Sequence, residues 1–127
     1  MSSGDVRART ALTALCVKLG EEEVARALGV PVGRVLAWSD DISEISGRAL
    51  LGLEEMSFLV TALSDLGYGD AAIRRWFLEA NLSRGRPLEL VARGEYSDAD
   101  ELRAALGRVE KRAHAAESAG LSLPPLV

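Results

Sequence analysis

Glycine and proline divide this chain into short apolar segments, and this division constrains the fold more than any other feature. Gly20, Gly29 and Gly94 each follow a segment of helical periodicity, and Pro31 and Pro87 stand where such segments begin. Glycine is favoured just after a helix, and proline is favoured in its first turn. Between these breaks, apolar residues recur at steps of three and four. The pattern predicts an all-α protein.

The breaks also predict how the chain is organised. A longer apolar segment separates two groups of short helices, and a tail with Pro124-Pro125 follows the last helix. Proline disfavours helical geometry in the residue that precedes it, so we expect the tail to be flexible or extended. The predicted units are a helix-turn-helix subdomain over 5–46, a connecting core helix over 47–68, a small helical subdomain over 69–116 and a flexible tail over 117–127.

Composition argues against several classes of protein. Cys16 is the single cysteine and His114 the single histidine, so neither a disulfide, a zinc site nor a Ser-His-Asp system is expected. No apolar run reaches the roughly 18 residues that span a bilayer, and the first residues lack an apolar signal core. We therefore expect a cytoplasmic protein with no membrane association, and no catalytic residue, metal or cofactor.

Residues 21–40 fit the layout of a helix-turn-helix. A small residue, Ala25, stands where two helices would cross, and Gly29 follows four positions later, where the turn needs a permissive backbone. Val35 and Trp38 would anchor the second helix on a core formed with the first. An ordinary helical hairpin is the alternative interpretation of the same spacing.

The second helix of this unit carries little chemistry for reading DNA. The residues predicted to face DNA are Pro31, Val32, Gly33, Arg34 and Ala37. None of them can read a base through the paired hydrogen bonds that arginine makes to guanine, except Arg34, whose neighbourhood is acidic. Three roles remain open: DNA binding through thymine methyls and dimerisation, DNA binding within a larger complex, and protein contact through an apolar surface that includes Val32 and Leu36.

The segment 74–96 is the most distinctive part of the chain. Trp76 and Phe77 are predicted core residues, and the loop 81–86 that follows them carries two arginines around one glycine. Arginines on such a loop fit either a solvated surface or an anchor for a carboxylate, a phosphate or a partner loop. No paired carboxylates in an apolar cleft and no phosphate-binding glycine loop are predicted here. The segment therefore indicates interaction rather than catalysis.

This segment resembles the carboxyl-terminal signature of the MbcA/ParS/Xre antitoxin family. That signature is a tryptophan-bearing helix, a Pro-Asn-x-Leu loop with following glycines, a Pro-Leu-Glu-Leu-like helix start and a Gly-Glu ending. The residues that match are Trp76, Asn81, Leu82, Gly85, Pro87, Leu88, Glu89, Leu90, Gly94 and Glu95. The family's first proline is Ala80 here, and its glycine pair is reduced to Gly85. The resemblance covers about residues 12–112 and is specific over 73–96.

The resemblance implies a non-catalytic antitoxin of a type II toxin–antitoxin system, which binds a RES-domain toxin and blocks its NAD site. It implies a toxin-binding second subdomain, an autoregulatory role for the helix-turn-helix on operator DNA, and a homo-oligomer or a hetero-oligomer with the toxin. The expected toxin-binding residues are Asn81, Arg84, Arg86, Pro87, Glu89 and Tyr96. The alternative is a stand-alone helix-turn-helix transcription regulator without a toxin partner.

Overall fold

The computed structural model describes residues 3–42, 45 and 47–127, and helices dominate them. As predicted, the architecture is all-α, with no strand among the described residues. The helices are α1 (Ser3–Leu19), α2 (Glu21–Leu28), α3 (Val32–Asp40), α4 (Gly47–Asp65), α5 (Asp70–Glu79), α6 (Pro87–Arg93) and α7 (Tyr96–Ser118).

Helix α4 is the central element of the packing, contacting α1, α2, α5, α6 and α7. Its apolar positions recur at helical steps and are buried, including Leu53, Met56, Leu59 and Leu63. Contacts also join the N-terminal and C-terminal halves of the chain, because α1 packs on α5 and α2 packs on α6. The buried side chains of these helices form one continuous apolar cluster, so α2 and α6 are held in a fixed relation.

The apolar anchors predicted from the sequence are buried. Trp76 and Phe77 are 2% and 1% exposed, and their rings meet edge to face with centroids 5.0 Å apart. Between α2 and α3, Gly29 adopts the left-handed conformation at the end of α2 (φ 71°). Val35 and Trp38 of α3 are buried. Arg74 and Arg75 both lie exposed on the outer side of α5.

Ser97-Asp98 predicts a capped helix that begins at Ala99, but α7 begins earlier, at Tyr96. Ser97-Asp98 has the composition of a cap, yet the N-cap is Glu95, whose backbone carbonyl accepts the N–H groups of Asp98 and Ala99. The Asp98 side chain does not cap the helix because it is turned into the protein and occupied by arginines. Asp70 likewise begins α5 rather than capping it, and its carboxylate pairs with Lys18 at 3.0 Å.

Residues 121–127, the end of the predicted flexible tail, lie against the turn between α4 and α5. The Tyr68 hydroxyl donates to the carbonyl of Pro124 at 2.7 Å, and Leu126 is 9% exposed. A Cβ added at Gly67 would come within 3.1 Å of the Leu123 side chain. The tail therefore packs against this turn, and its flexibility stays a prediction.

Candidate partner-binding loop

The loop 81–86 is a tight turn that joins α5 to α6. The backbone N–H of Leu82 donates to the carbonyl of Gly85 at 3.1 Å, and the N–H of Gly85 donates back to Leu82 at 3.3 Å. Gly85 has φ +135°, a conformation that residues with a side chain rarely adopt. The glycine therefore allows the chain to reverse within four residues and enter α6.

A buried carboxylate fixes this turn to α7. Asp98 is fully buried and accepts hydrogen bonds from two arginines, Nε of Arg84 at 2.9 Å and Nη2 of Arg93 at 3.1 Å. Arg93 also donates to the backbone carbonyl of Arg84. Two guanidinium groups thus meet one carboxylate, an arrangement that compensates the cost of burying its charge.

A second carboxylate holds the outer edge of the same turn. Glu101 accepts the backbone N–H of Arg84 at 3.0 Å and the hydroxyl of Ser83. Glu95 lies 3.3 Å from a terminal nitrogen of Arg84, which adds a third acidic neighbour. The loop backbone is therefore tied to the first turns of α7, and Arg84 is engaged by acids of this chain.

Two carboxylates of this network, Asp98 and Glu101, stay ionised at lower pH than is usual for them. Hydrogen bonds from Arg93 and then from Arg84 lower the pKa of Asp98 below its ordinary value of 3.8. The hydroxyl of Ser83 and the backbone N–H of Arg84 lower the pKa of Glu101. The same contact with Asp98 raises the pKa of Arg93. At neutral pH Asp98, Glu101 and Arg93 are therefore charged.

Helix α6 begins with a side chain that closes back on the loop. The Glu89 carboxylate accepts the backbone N–H of Arg86 at 3.4 Å, which satisfies a donor at the helix start. Pro87 is buried at the first position of α6. Proline has no backbone N–H, and a residue at this position has no hydrogen-bond acceptor within the helix. The Arg86 guanidinium is 57% exposed and reaches only to 4.0 Å from Glu89.

The residues predicted to bind a partner differ in how far they are available to one. Tyr96, the first residue of α7, is 85% exposed. Pro87 is buried, and the guanidinium of Arg84 is held by Asp98 and Glu95. The predicted residues whose side chains are exposed outside the Asp98 network are Asn81, Arg86, Glu89 and Tyr96.

Sequence reasoning missed the residues that hold the loop in place. Ser97-Asp98 has the composition of a helix cap, and nothing in the sequence singles out Arg93 or Glu101. Asp98 lies 14 positions after Arg84, so no helical spacing connects them. A carboxylate opposite two arginines arises only when α6 and α7 fold back on each other, and no local pattern reports it.

The structure leaves the residues predicted to face DNA on the surface of α3 and of the turn before it. Pro31, Val32, Gly33, Arg34 and Ala37 are all exposed on α3 or immediately before it. Leu36 is 47% exposed on the same helix and Val32 is 38% exposed. The surface is therefore mainly apolar with one cation, which is the composition that left three roles open.

A groove of about 420 Å³ lies between α2, α4, α6 and α7, next to the segment that ends α6. Arg48 closes one wall by donating to the carbonyl of Ala92 at 2.8 Å. Glu55 pairs with Arg103 at 2.6 Å, and the Arg103 guanidinium lies over the ring of Phe58. Burial raises the pKa of Glu55, which Arg103 opposes. Both charges are used within the protein.

Several further observations bear on the class of this protein. Within residues 3–42, 45 and 47–127, no cluster of His, Cys, Asp and Glu could hold a metal ion. In the same residues, no helix has the length and apolarity needed to cross a bilayer. The described chain is thus an all-helical protein with a rigid exposed loop. Comparisons with family models, curated proteins and solved structures found no match to this chain.

Replacing Gly85 with alanine is expected to destabilise the protein by about 1–3 kcal/mol, because a Cβ is strained at this φ value. Gly107 is the matched control, since it lies within α7 with open space around it. Alanine at Gly107 is expected to stabilise the helix by about 0.5–1 kcal/mol. Urea denaturation of both variants measures the difference, and equal effects would contradict the role given to Gly85.

Proposed function

We propose that this protein is a non-catalytic antitoxin that binds a RES-domain toxin and obstructs its NAD site. The observation that carries the proposal is the loop 81–86, which is exposed while Glu101 and Arg93 hold its backbone and Asp98 holds the Arg84 side chain. A loop ordered before binding loses less conformational entropy when a partner immobilises it. Such a loop is suited to block a cavity by its shape, with no chemistry of its own.

The exposed side chains around this loop supply the contacts in the proposal. Tyr96 offers an aromatic ring with a polar tip, and Arg86 offers a guanidinium that is weakly engaged in the free protein. Aromatic residues and arginine are the side chains most enriched among energetically important interface residues. Asn81 adds amide groups on the same loop. Arg84 and Pro87 act in this proposal by shaping the loop.

The proposal is tested by co-expression with the product of the adjacent gene. The expected result is a stable complex in which that protein, active alone as a consumer of NAD⁺, is inhibited. The measurements are size-exclusion chromatography of the pair and NAD⁺ consumption with and without the antitoxin. A neighbour that consumes no NAD⁺, or that elutes separately, would contradict the proposal.

The second candidate is a helix-turn-helix transcription regulator, with or without a toxin. It is favoured by the common exposure of the residues predicted to face DNA on α3, including Arg34. Phosphate contacts make DNA affinity fall steeply with salt. Binding of the isolated protein to its upstream DNA at increasing salt concentration tests this role. If DNA does not bind, the apolar pair Val32 and Leu36 would instead favour a protein contact.

A further inference from the structure

A crevice with two arginines lies beside the loop, where α2 packs against the start of α6. It is a crevice of about 300 Å³, referred to below as the Arg26–Arg86 crevice. Its lining residues are Arg26, Phe77, Leu78, Arg86, Leu88 and Glu89. The residues come from α2, α5 and α6, which the packing of α6 on α2 and α5 brings together. No part of the sequence pattern predicted this meeting.

The floor of the crevice is apolar and rigid. Phe77 and Leu88 line it but are only 1% and 2% exposed, so they offer little open surface of their own. Leu78 is half-buried beside them. An apolar floor of this kind favours a hydrocarbon group from a ligand, because burying that group removes it from water.

The rim carries more positive charge than the protein itself uses. Arg26 is exposed and forms no side-chain hydrogen bond or ion pair with the described residues. Arg86 reaches one carboxylate, that of Glu89, at 4.0 Å, and Glu89 is already occupied with the backbone N–H of Arg86. Two guanidinium groups therefore face one engaged carboxylate, so the crevice favours an added anion.

We propose that the Arg26–Arg86 crevice receives an acidic side chain and an adjacent apolar side chain from a docking segment of the toxin. A guanidinium matches a carboxylate in geometry and charge, and the floor matches the apolar neighbour. A free inorganic anion would gain nothing from Phe77 and Leu88. The crevice volume of about 300 Å³ lies at the lower end of the range for small-molecule pockets. A volume of this size suits a pair of side chains better than a large ligand.

This inference rests on the proposed function, and it extends the toxin-binding surface beyond residues 69–116. Arg26 belongs to α2, within the predicted helix-turn-helix subdomain, and Arg86 belongs to the loop. A toxin that binds both Arg26 and Arg86 would contact the N-terminal and C-terminal halves of the chain together. The α2 contact would then give the N-terminal half a direct part in recognising the toxin.

The experiment compares charge reversals in the full-length protein, with the purified RES-domain toxin from the adjacent gene as the probe. R26E is expected to weaken binding about fivefold, and R26E with R86E about thirtyfold, with most of the change in the association rate. The control is R108E, because Arg108 is exposed on α7 and lines none of the crevices described. The control is expected to bind as the unmodified protein does.

Salt dependence separates a charge contact from a change in fold. The affinity of the unmodified protein should fall with salt, and the double variant should lose most of that dependence. Circular dichroism melts check that both variants fold normally. If the toxin binds the unmodified protein and R26E equally, with the same salt dependence, the crevice proposal is wrong while the antitoxin function stands. If the unmodified protein does not bind the toxin, both proposals fall.

Discussion

Replacing Asp98 with asparagine is expected to lower the free energy of unfolding by about 2–3 kcal/mol and to loosen the loop 81–86. The side chain keeps its shape but loses the charge that two arginines share, and its amide N–H would face their donors. Arg84 and Arg93 are 44% and 42% exposed, so water can compensate them in part. Urea denaturation measures the stability, and amide hydrogen exchange of residues 82–85 measures the loop.

Asp100 provides the matched control for this change, because it is an exposed aspartate in the same helix. Asp100→Asn is expected to change stability by less than about 0.5 kcal/mol. Equal effects of the two substitutions would show that the buried carboxylate does not hold the loop.

For the Asp98→Asn variant, we also expect the loss of stability to depend on pH with a definite sign. The pKa of Asp98 is lowered in the folded state, so its stabilisation is complete above the ordinary value of 3.8 and is lost as the pH falls below it. The difference in unfolding free energy between the unmodified protein and Asp98→Asn should therefore shrink as the pH is lowered from neutral to below 3.8. A difference that stays constant over this range would mean that the Asp98 charge is not its source.

Replacing Tyr96 with alanine is expected to weaken the toxin complex about a hundredfold, equivalent to about 2.7 kcal/mol. A tyrosine that is 85% exposed contributes little to the fold, so burial of its ring on a partner would appear almost entirely in the affinity. Binding is measured by calorimetry with the RES-domain toxin, and the melting temperature should stay unchanged.

Tyr96→Phe is the control, since it keeps the ring and removes only the hydroxyl. It is expected to retain most of the affinity if apolar contact dominates. A Tyr96→Ala variant that binds and inhibits the toxin normally would exclude this residue from the interface. A lower melting temperature would instead indicate that the ring supports the start of α7.

The helices could be predicted because their signals are local. Gly29, Gly94 and Pro87 mark ends and starts through backbone preferences that act within a few residues. The burial of Trp76 and Phe77 could also be predicted, since large apolar side chains that share one side of a short helix are removed from water by packing into the core. The errors fell at helix starts, where Asp98 and Asp70 resembled caps but were engaged elsewhere.

The candidate site was predicted in part for the same reason. The exposure of Asn81 and Arg86 agrees with a polar loop between two helices, and Tyr96 is exposed at the start of α7. The division of labour between Arg84 and Arg86 could not be predicted, because two arginines around one glycine look alike in the sequence. Only the position of α7 decides that Arg84 meets a buried acid while Arg86 faces the opening of a crevice.

The sequence by itself determined the all-helical class, the main breaks between helices and the side chains available for an exposed loop. These properties depend on the φ and ψ preferences of single residues and on apolar spacing within one helix. The tertiary structure alone decided that Asp98 lies between Arg84 and Arg93, and that Arg26 lies beside Arg86. Pairing of distant charges depends on how helices pack in space, and a sequence pattern does not carry that relation.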